Sequence, residues 1–144
     1  MKITFRKPLS ANDIGSNGSH QAGVHIPKTE KGLLAFLPRL DPNMKNPDSW
    51  IECIDETEKH FRFRFVYYNN RFHDENGTRN EYRLTYMTAY LRNSKAEVGD
   101  LFEISKSENQ DFFSISVIRS KSILPEKQDF PTNRIKLKGW RQIH

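Results

Sequence analysis

Apolar residues along this chain come in short alternating runs rather than in long helical stripes. Between Phe61 and Tyr68, Phe61, Phe63, Phe65 and Tyr67 alternate with Arg62, Arg64, Val66 and Tyr68. Successive strand side chains point to opposite faces of a sheet. The run therefore predicts a strand with one core face and one basic face. Tyr82, Leu84 and Tyr86 alternate in the same way with Arg83, Thr85 and Met87. Further strands are predicted at Ile3–Pro8, Gly23–Ile26, Trp50–Ile54, Leu101–Ile104 after the Gly99-Asp100 turn signal, Phe112–Ile118 and, last, Ile135–Lys138. Helical signal is sparse. Thr29–Leu37 reads as one short helix, capped by the Thr29 hydroxyl and stopped before Pro38, and Thr88–Asn93 supplies a further turn or two. Turn-forming residues concentrate in Ser10–Gly23, Arg39–Asp48 and Asn69–Asn80, and the polar tail from Ser120 to Arg134 is expected to wrap the surface. Roughly seven or eight short strands with this spacing suggest a small barrel or sandwich, mainly β.

Length narrows this to a single domain over residues 1–144. With 35% hydrophobic and 12% aromatic residues the chain can build a core, which argues against global disorder. The net charge of +5 and isoelectric point near 9.4 favour polyanionic partners through long-range attraction, but on their own they select no function. One cysteine, Cys53, rules out an internal disulfide and suits a reducing compartment. Its place beside Ile51 and Ile54 marks it as a small buried apolar residue. The opening residues carry no long apolar run and no stretch reaches transmembrane length. No signal peptide and no membrane partner are expected, and the cytoplasm is the expected location.

Two segments carry candidate chemistry. The first, Pro8–Pro27, is polar and glycine-rich between two strand-like runs. Gly15, Gly18 and Gly23 permit backbone conformations and close approaches that other residues resist. Asn12, Ser19, His20 and Gln21 offer donors and acceptors suited to base edges or phosphates. An ordinary surface loop would have the same composition. The second, Tyr67–Arg83, reads as a hairpin with a long connection in which Asn76-Gly77 is a tight-turn signal. Just after it, Arg79, Glu81 and Arg83 share one strand face. Arginine can grip guanine O6 and N7 in the major groove, and glutamate can accept from cytosine N4. A glutamate between two arginines is unfavourable near phosphates unless it reads a base. The bland alternative is a solvated strand laced with weak ion pairs.

Taken together, LSANDIGSNGSHQAGVHIP (Leu9–Pro27) and YYNNRFHDENGTRNEYR (Tyr67–Arg83) resemble the N-terminal effector-binding domain of EcoRII-type restriction endonucleases. The two matches cover about a quarter of the chain and occur in the family's order. The resemblance implies a distorted seven- to eight-stranded pseudobarrel with one or two short flanking helices, a fold shared with plant B-three transcription-factor domains. It also implies sequence-specific binding of double-stranded DNA as the effector domain of a type II, type IIE-like, enzyme. Two arms, Ser10–His25 and Arg71–Arg83, would grip the duplex from the major-groove side. Carried over residue by residue, the family's contacts fall on His20, His25, Arg71, Arg79, Asn80, Glu81, Tyr82 and Arg83. With the polar residues of the first arm and its flank, the candidate set becomes Asn12, Asp13, Ser19, His20, Gln21, His25, Lys28, Arg71, Arg79, Asn80, Glu81, Tyr82 and Arg83. Family members of this type read CC(A/T)GG, a pseudopalindrome that one asymmetric domain can engage as a monomer. The chain departs from the pattern at His25, where the family has Tyr, at Tyr82, where it has Lys, and at Gly77, which replaces a Lys. The loop after Arg71 is also slightly longer, so the site read is expected to be CC(A/T)GG or a related GC-rich sequence.

No catalytic centre is legible. A restriction nuclease of the usual type needs a carboxylate followed by (Asp/Glu)-x-Lys to hold a divalent metal. No such triplet occurs here, and neither does His-x-Lys. Five histidines without a ligand pattern, and one cysteine, make no zinc site. No cofactor is expected for this domain. Magnesium would belong to a linked C-terminal nuclease domain in a longer chain. Three other readings stand beside the leading one: a free-standing DNA reader, a non-standard metal nuclease built on Asp48, Glu52, Asp55 and Glu56, and a barrel that stacks its aromatics on RNA or single strands.

Overall fold

The aromatic alternation of Phe61–Tyr67 becomes the spine of a curled sheet. In a computed structural model describing residues 2–15, 23–120 and 139–143, strand β4 (His60–Tyr68) lies between β3 (Asp48–Ile54) and β5 (Glu81–Thr85). The remaining strands are β1 (Lys2–Pro8), β2 (Val24–Ile26), β6 (Leu101–Ser107), β7 (Phe113–Ile118) and β8 (Arg141–Ile143). All eight form one sheet in the order β2-β5-β4-β3-β7-β6-β1-β8. Every pairing is antiparallel except β3 with β7, which meet over two residue pairs.

Inward positions of these strands fill the core: Phe5, Ile51, Phe63, Phe65, Leu84, Phe102, Ile104, Ile115 and Val117 are all buried. Two short helices close the gaps in the curl. Helix α2 (Lys31–Phe36) sets Phe36 between Phe5 and Phe113, at ring distances of 5.1 and 5.2 Å. Helix α3 (Thr88–Asn93) sets Tyr90 against Phe61, Phe63 and Phe102. The outermost strands, β2 and β8, are not paired in a ladder, yet the sheet's two edges meet. Buried Trp140, just before β8, donates its Nε1 hydrogen to the His25 carbonyl of β2 at 3.0 Å. The result is a mainly β pseudobarrel of eight strands with few short helices, as the sequence led one to expect. Among the described residues no helix is long and apolar enough to cross a membrane.

Several local expectations are corrected. Helix α2 begins at Lys31, and Thr29 does not cap it: the cap position is Glu30, which makes no side-chain cap bond. The helix stops where expected, because Leu37 is extended as a residue before proline must be. A helix that the sequence reading treated as loop, α1 (Ala11–Ile14), follows a capping box between Ser10 and Asp13 and ends on left-handed Gly15. The alternation after Thr85 fails because Tyr86 takes a positive φ of 64°. That twist throws Tyr86 out to solvent and buries Met87. Val66, assigned to the basic face, is buried as well. The strand expected at Ile135–Lys138 and residues 121–134 of the expected surface tail lie outside the described residues. Strand β8 was not foreseen.

Candidate nucleic-acid interface

The two segments that the resemblance would make arms, Ser10–His25 and Arg71–Arg83, are each rooted by a buried polar arrangement at a strand end. Where β1 ends, Lys7 reaches Asp13 of α1 at 2.5 Å, and both residues are buried. The Asp13 carboxylate also accepts from the Ser10 backbone at 3.0 Å, and its backbone carbonyl accepts from Gly23 at 3.1 Å. The chain therefore leaves this root at Gly15 and comes back at Gly23. Only glycine fits there, because a Cβ at 23 would stand 2.5 Å from the Leu84 carbonyl oxygen of β5. Ser19, His20 and Gln21 lie outside the described residues. Asn12 is exposed on α1 and Lys28 is exposed in the turn before α2. Asp13 departs from its sequence assignment: buried under its own helix with a lysine, it holds the first arm and is not presented to a ligand.

The second arm is the connection from β4 to β5. Asn76-Gly77 does not make a tight hairpin turn. The strands separate after Tyr68 and rejoin at Glu81, and between them the chain makes a 3₁₀ turn at Asn70–Phe72. Asn70 organises the return: its side-chain oxygen accepts from Arg79 N at 2.8 Å, and Arg71 N donates to the Arg79 carbonyl at 3.1 Å. Gly77 has no positive φ. It is glycine because its Cβ would run into the carbonyl of Asn70.

On the outward face, the predicted trio is assembled. Arg79 Nη2 donates to Glu81 Oε2 at 2.5 Å, and Arg83 Nη1 lies 3.9 Å from the same oxygen. The Arg79 guanidinium sits 3.8 Å above the Tyr68 ring, which fixes its plane. Burial alone would raise the Glu81 carboxyl. The Arg79 hydrogen bond and the charges of Arg79, Arg83 and His25 outweigh it and hold Glu81 below the usual carboxylate range. Across β2, His25 stands in register with Arg83. Burial lowers its imidazole pKa; Glu81 opposes this, while Arg83 and Lys7 reinforce it. His25, Arg79, Glu81 and Arg83 are thus brought together, and Arg71 is exposed on the arm nearby.

Tyr82 and Asn80 are placed otherwise. Tyr82 points to the opposite face, its ring parallel to Tyr67 at 4.2 Å and stacked on Phe65 at 5.9 Å. Burial, with the neighbouring Tyr67, raises its hydroxyl pKa. Asn80 accepts from the Tyr67 hydroxyl at 2.6 Å. Phe61, Phe63, Phe65 and Tyr67 of β4 thus serve the core, and Tyr68 alone of its aromatics lies under Arg79. The four carboxylates weighed as a metal site are engaged separately. Asp48 pairs with Arg64 at 2.6 Å, Glu52 with Arg62 at 2.8 Å, and Asp55 accepts from Thr57 and Lys59 in its own turn. Glu56 accepts from the Tyr90 hydroxyl at 3.4 Å. Among the described residues no group of three or more His, Cys, Asp or Glu could hold a metal ion.

Sequence reasoning missed Asn69. This residue is fully buried at the foot of the second arm and spends its side chain on the neighbouring loop. Polar loop composition hid it, since nothing in the sequence separates it from Asn70.

Comparison with known proteins agrees with the layout. Residues 1–117 match the model of the family described as restriction endonuclease EcoRII, N-terminal. The chain belongs to this family. An EcoRII-N relative, the type II restriction enzyme EcoRII of Escherichia coli, is 34% identical over 92 residues. That match takes in 58% of this chain but only 20% of the longer enzyme. Among solved structures, the Arabidopsis FUS3–DNA complex superposes with a TM-score of 0.62 at 19% identity, covering 82% of this chain and 98% of that one. The B3 domain of UbaLAI restriction endonuclease with cognate DNA gives 0.60 at 20% identity, covering 98% and 86%. At such identities these two speak for the fold of the EcoRII-N chain.

Proposed function

We propose that this chain recognises a specific duplex DNA sequence from the major-groove side, as the recognition domain of a longer type II restriction endonuclease whose nuclease centre lies elsewhere. The observation that carries the proposal is the Arg79–Glu81–Arg83 row, with its two guanidiniums held by one ionised carboxylate where the chain enters β5. A phosphate-binding patch would have no use for that glutamate. A base-reading edge does, since cytosine N4 needs an acceptor between guanine-directed arginines. The relatives support the reading: the curated one is a restriction enzyme and both solved neighbours were crystallised or described with DNA. The first arm, which leaves the barrel at Gly15 and returns at Gly23, would embrace the duplex opposite the second. CC(A/T)GG or a related GC-rich sequence is the proposed site, bound by a single domain without metal.

A titration against a short CCTGG duplex and a scrambled duplex, in chelator at near-physiological salt, tests this. Specific reading requires a preference of at least ~10³ for one sequence. Equal binding with steep salt dependence would direct the search to a selected sequence. Failure to bind any duplex would end the proposal. A second reading as a free-standing reader shares all of this geometry, and the two part only in whether a nuclease domain adjoins the chain in its source.

A further inference from the structure

The second arm does not stand on β4 and β5 alone. Asn69 is 0% exposed between half-buried Tyr68 and Asn70, just before the exposed residues that begin at Arg71. Its backbone N–H donates to Asn46 Oδ1 at 3.1 Å, and Asn46 N–H donates to Asn69 Oδ1 at 2.7 Å. Its Nδ2 donates to the carbonyls of Pro42 and Met44, at 3.2 and 2.9 Å. Asn46 itself sits in the left-handed region at φ 49°, a conformation that asparagine tolerates better than most residues. Two weaker ties lie further out. His73 Nε2 approaches the Pro42 carbonyl at 3.2 Å, and Lys45 pairs with Asp74 at 2.7 Å. A loop with no place in the recognition row thus grips the foot of the arm through a fully satisfied buried amide.

The next residue along is Asn70, whose side chain and carbonyl fold the arm back and fix Arg79 at both its N–H and, through Arg71, its carbonyl. The path from the brace to the base-facing guanidinium is two residues of backbone and one hydrogen bond. We propose that Asn69 and Asn46 are positioning residues for DNA readout: the 42–46 loop sets the height and angle at which the second arm presents Arg79 and Arg71. This deepens the DNA reading above and rests on it. Satisfied buried polar networks specify one arrangement where apolar packing tolerates several, and a reading head must be held to a fraction of an ångström.

Asn46→Gly is the informative variant. Glycine keeps the left-handed backbone at no cost and removes only the acceptor of Asn69 N–H. Asn46→Asp keeps the acceptor and serves as the conservative control. With Asn46→Gly, affinity for the preferred duplex should fall by roughly five- to tenfold, about the effect of one buried hydrogen bond. Affinity for scrambled duplex should stay put, Asn46→Asp should behave as wild type, and backbone amides of 69–80 should exchange hydrogen faster while those of β6 and β7 do not. A purely structural role would lower the melting temperature and affinity for both duplexes together. An unchanged preference, despite faster exchange in the arm, would overturn the positioning role, and unchanged exchange would overturn the brace. A wild-type protein that prefers no duplex would instead overturn the DNA reading, while the exchange comparison would still decide whether the brace exists.

Discussion

Removing the charge at Glu81 tests the role proposed for the Arg79–Glu81–Arg83 row. Glu81→Gln keeps the shape and the ability to hydrogen-bond, but it deletes the carboxylate that holds Arg79 at 2.5 Å and Arg83 at 3.9 Å. The pair is partly open to solvent, with Arg79 44% and Glu81 31% exposed, so folding should lose no more than about 1 kcal/mol. Binding should change in two opposite directions. If the carboxylate accepts from cytosine N4, its exchange for a neutral amide, a weaker acceptor, costs up to about 3 kcal/mol on the preferred sequence, at most roughly 150-fold in affinity. On any other sequence the carboxylate only repels phosphates. A unit charge about 7 Å from a phosphate in water is worth about 0.6 kcal/mol before screening. Deleting it should therefore tighten binding to scrambled DNA by up to about threefold, and most at low salt. The preference is thus compressed from both ends. Fluorescence anisotropy with preferred and scrambled duplexes at several salt concentrations reads both terms. If Glu81→Gln tightened both duplexes by the same factor, Glu81 would be a mere guard on a basic surface, and base reading by this row would be refuted.

Other perturbations probe the roots of the arms. Asp13→Asn leaves the Lys7 ammonium buried without its counter-charge, and breaking a buried pair from one side should cost about 3–5 kcal/mol, read as a fall in melting temperature. An unaltered melting temperature would mean that this contact is dispensable. Gly77→Ala drives a methyl group into the Asn70 carbonyl, so the arm must move. A loss of about 1–3 kcal/mol in stability, with a reduced sequence preference, is expected from denaturation and binding curves. His25 has a folded pKa below 6.5, so the unfolded chain binds the extra proton first. Its contribution to stability is full above pH 6.5 and declines as pH falls from there through the lower folded value. Denaturation midpoints between pH 7.5 and 5.5 should show this slope, reduced in His25→Gln.

What the sequence could convey depended on whether a residue answers to a periodic pattern. Phe63, Phe65 and the Arg79–Glu81–Arg83 row were legible because alternation alone assigns faces, whatever the partner strand. Tyr82 obeys the same rule and sits one position out of phase with its neighbours, so the strand period itself places it on the core side. The resemblance, by contrast, places it among the DNA contacts. Tyr86 could not be read, since a left-handed residue breaks the period without leaving a glycine to announce it. Asp13 stands three residues after Ser10, the spacing of a capping box, a signal that the reading as a polar binding loop passes over. Burial of that box depends on Lys7, which alternation places on the face of buried Phe5 and Leu9 although its charge would suggest solvent.

The two proposed arms share one feature that the pattern of apolar residues cannot reveal. Each begins where a strand leaves the sheet, and each is tied at that point by a polar group with almost no exposure: Lys7 with Asp13 for the first, Asn69 with Asn46 for the second. Apolar packing would hold an arm to the barrel but would allow it to slide, because dispersion contacts are short-ranged and nearly non-directional. Hydrogen bonds and a buried ion pair fail steeply with distance and angle. They fix direction as well as position, at the cost of desolvating charged and amide groups that apolar residues would have spared. Recognition by side chains a few ångströms beyond such a root gains more from direction than from strength. That is why two polar, loop-rich stretches carry side chains as buried as Asp13 and Asn69.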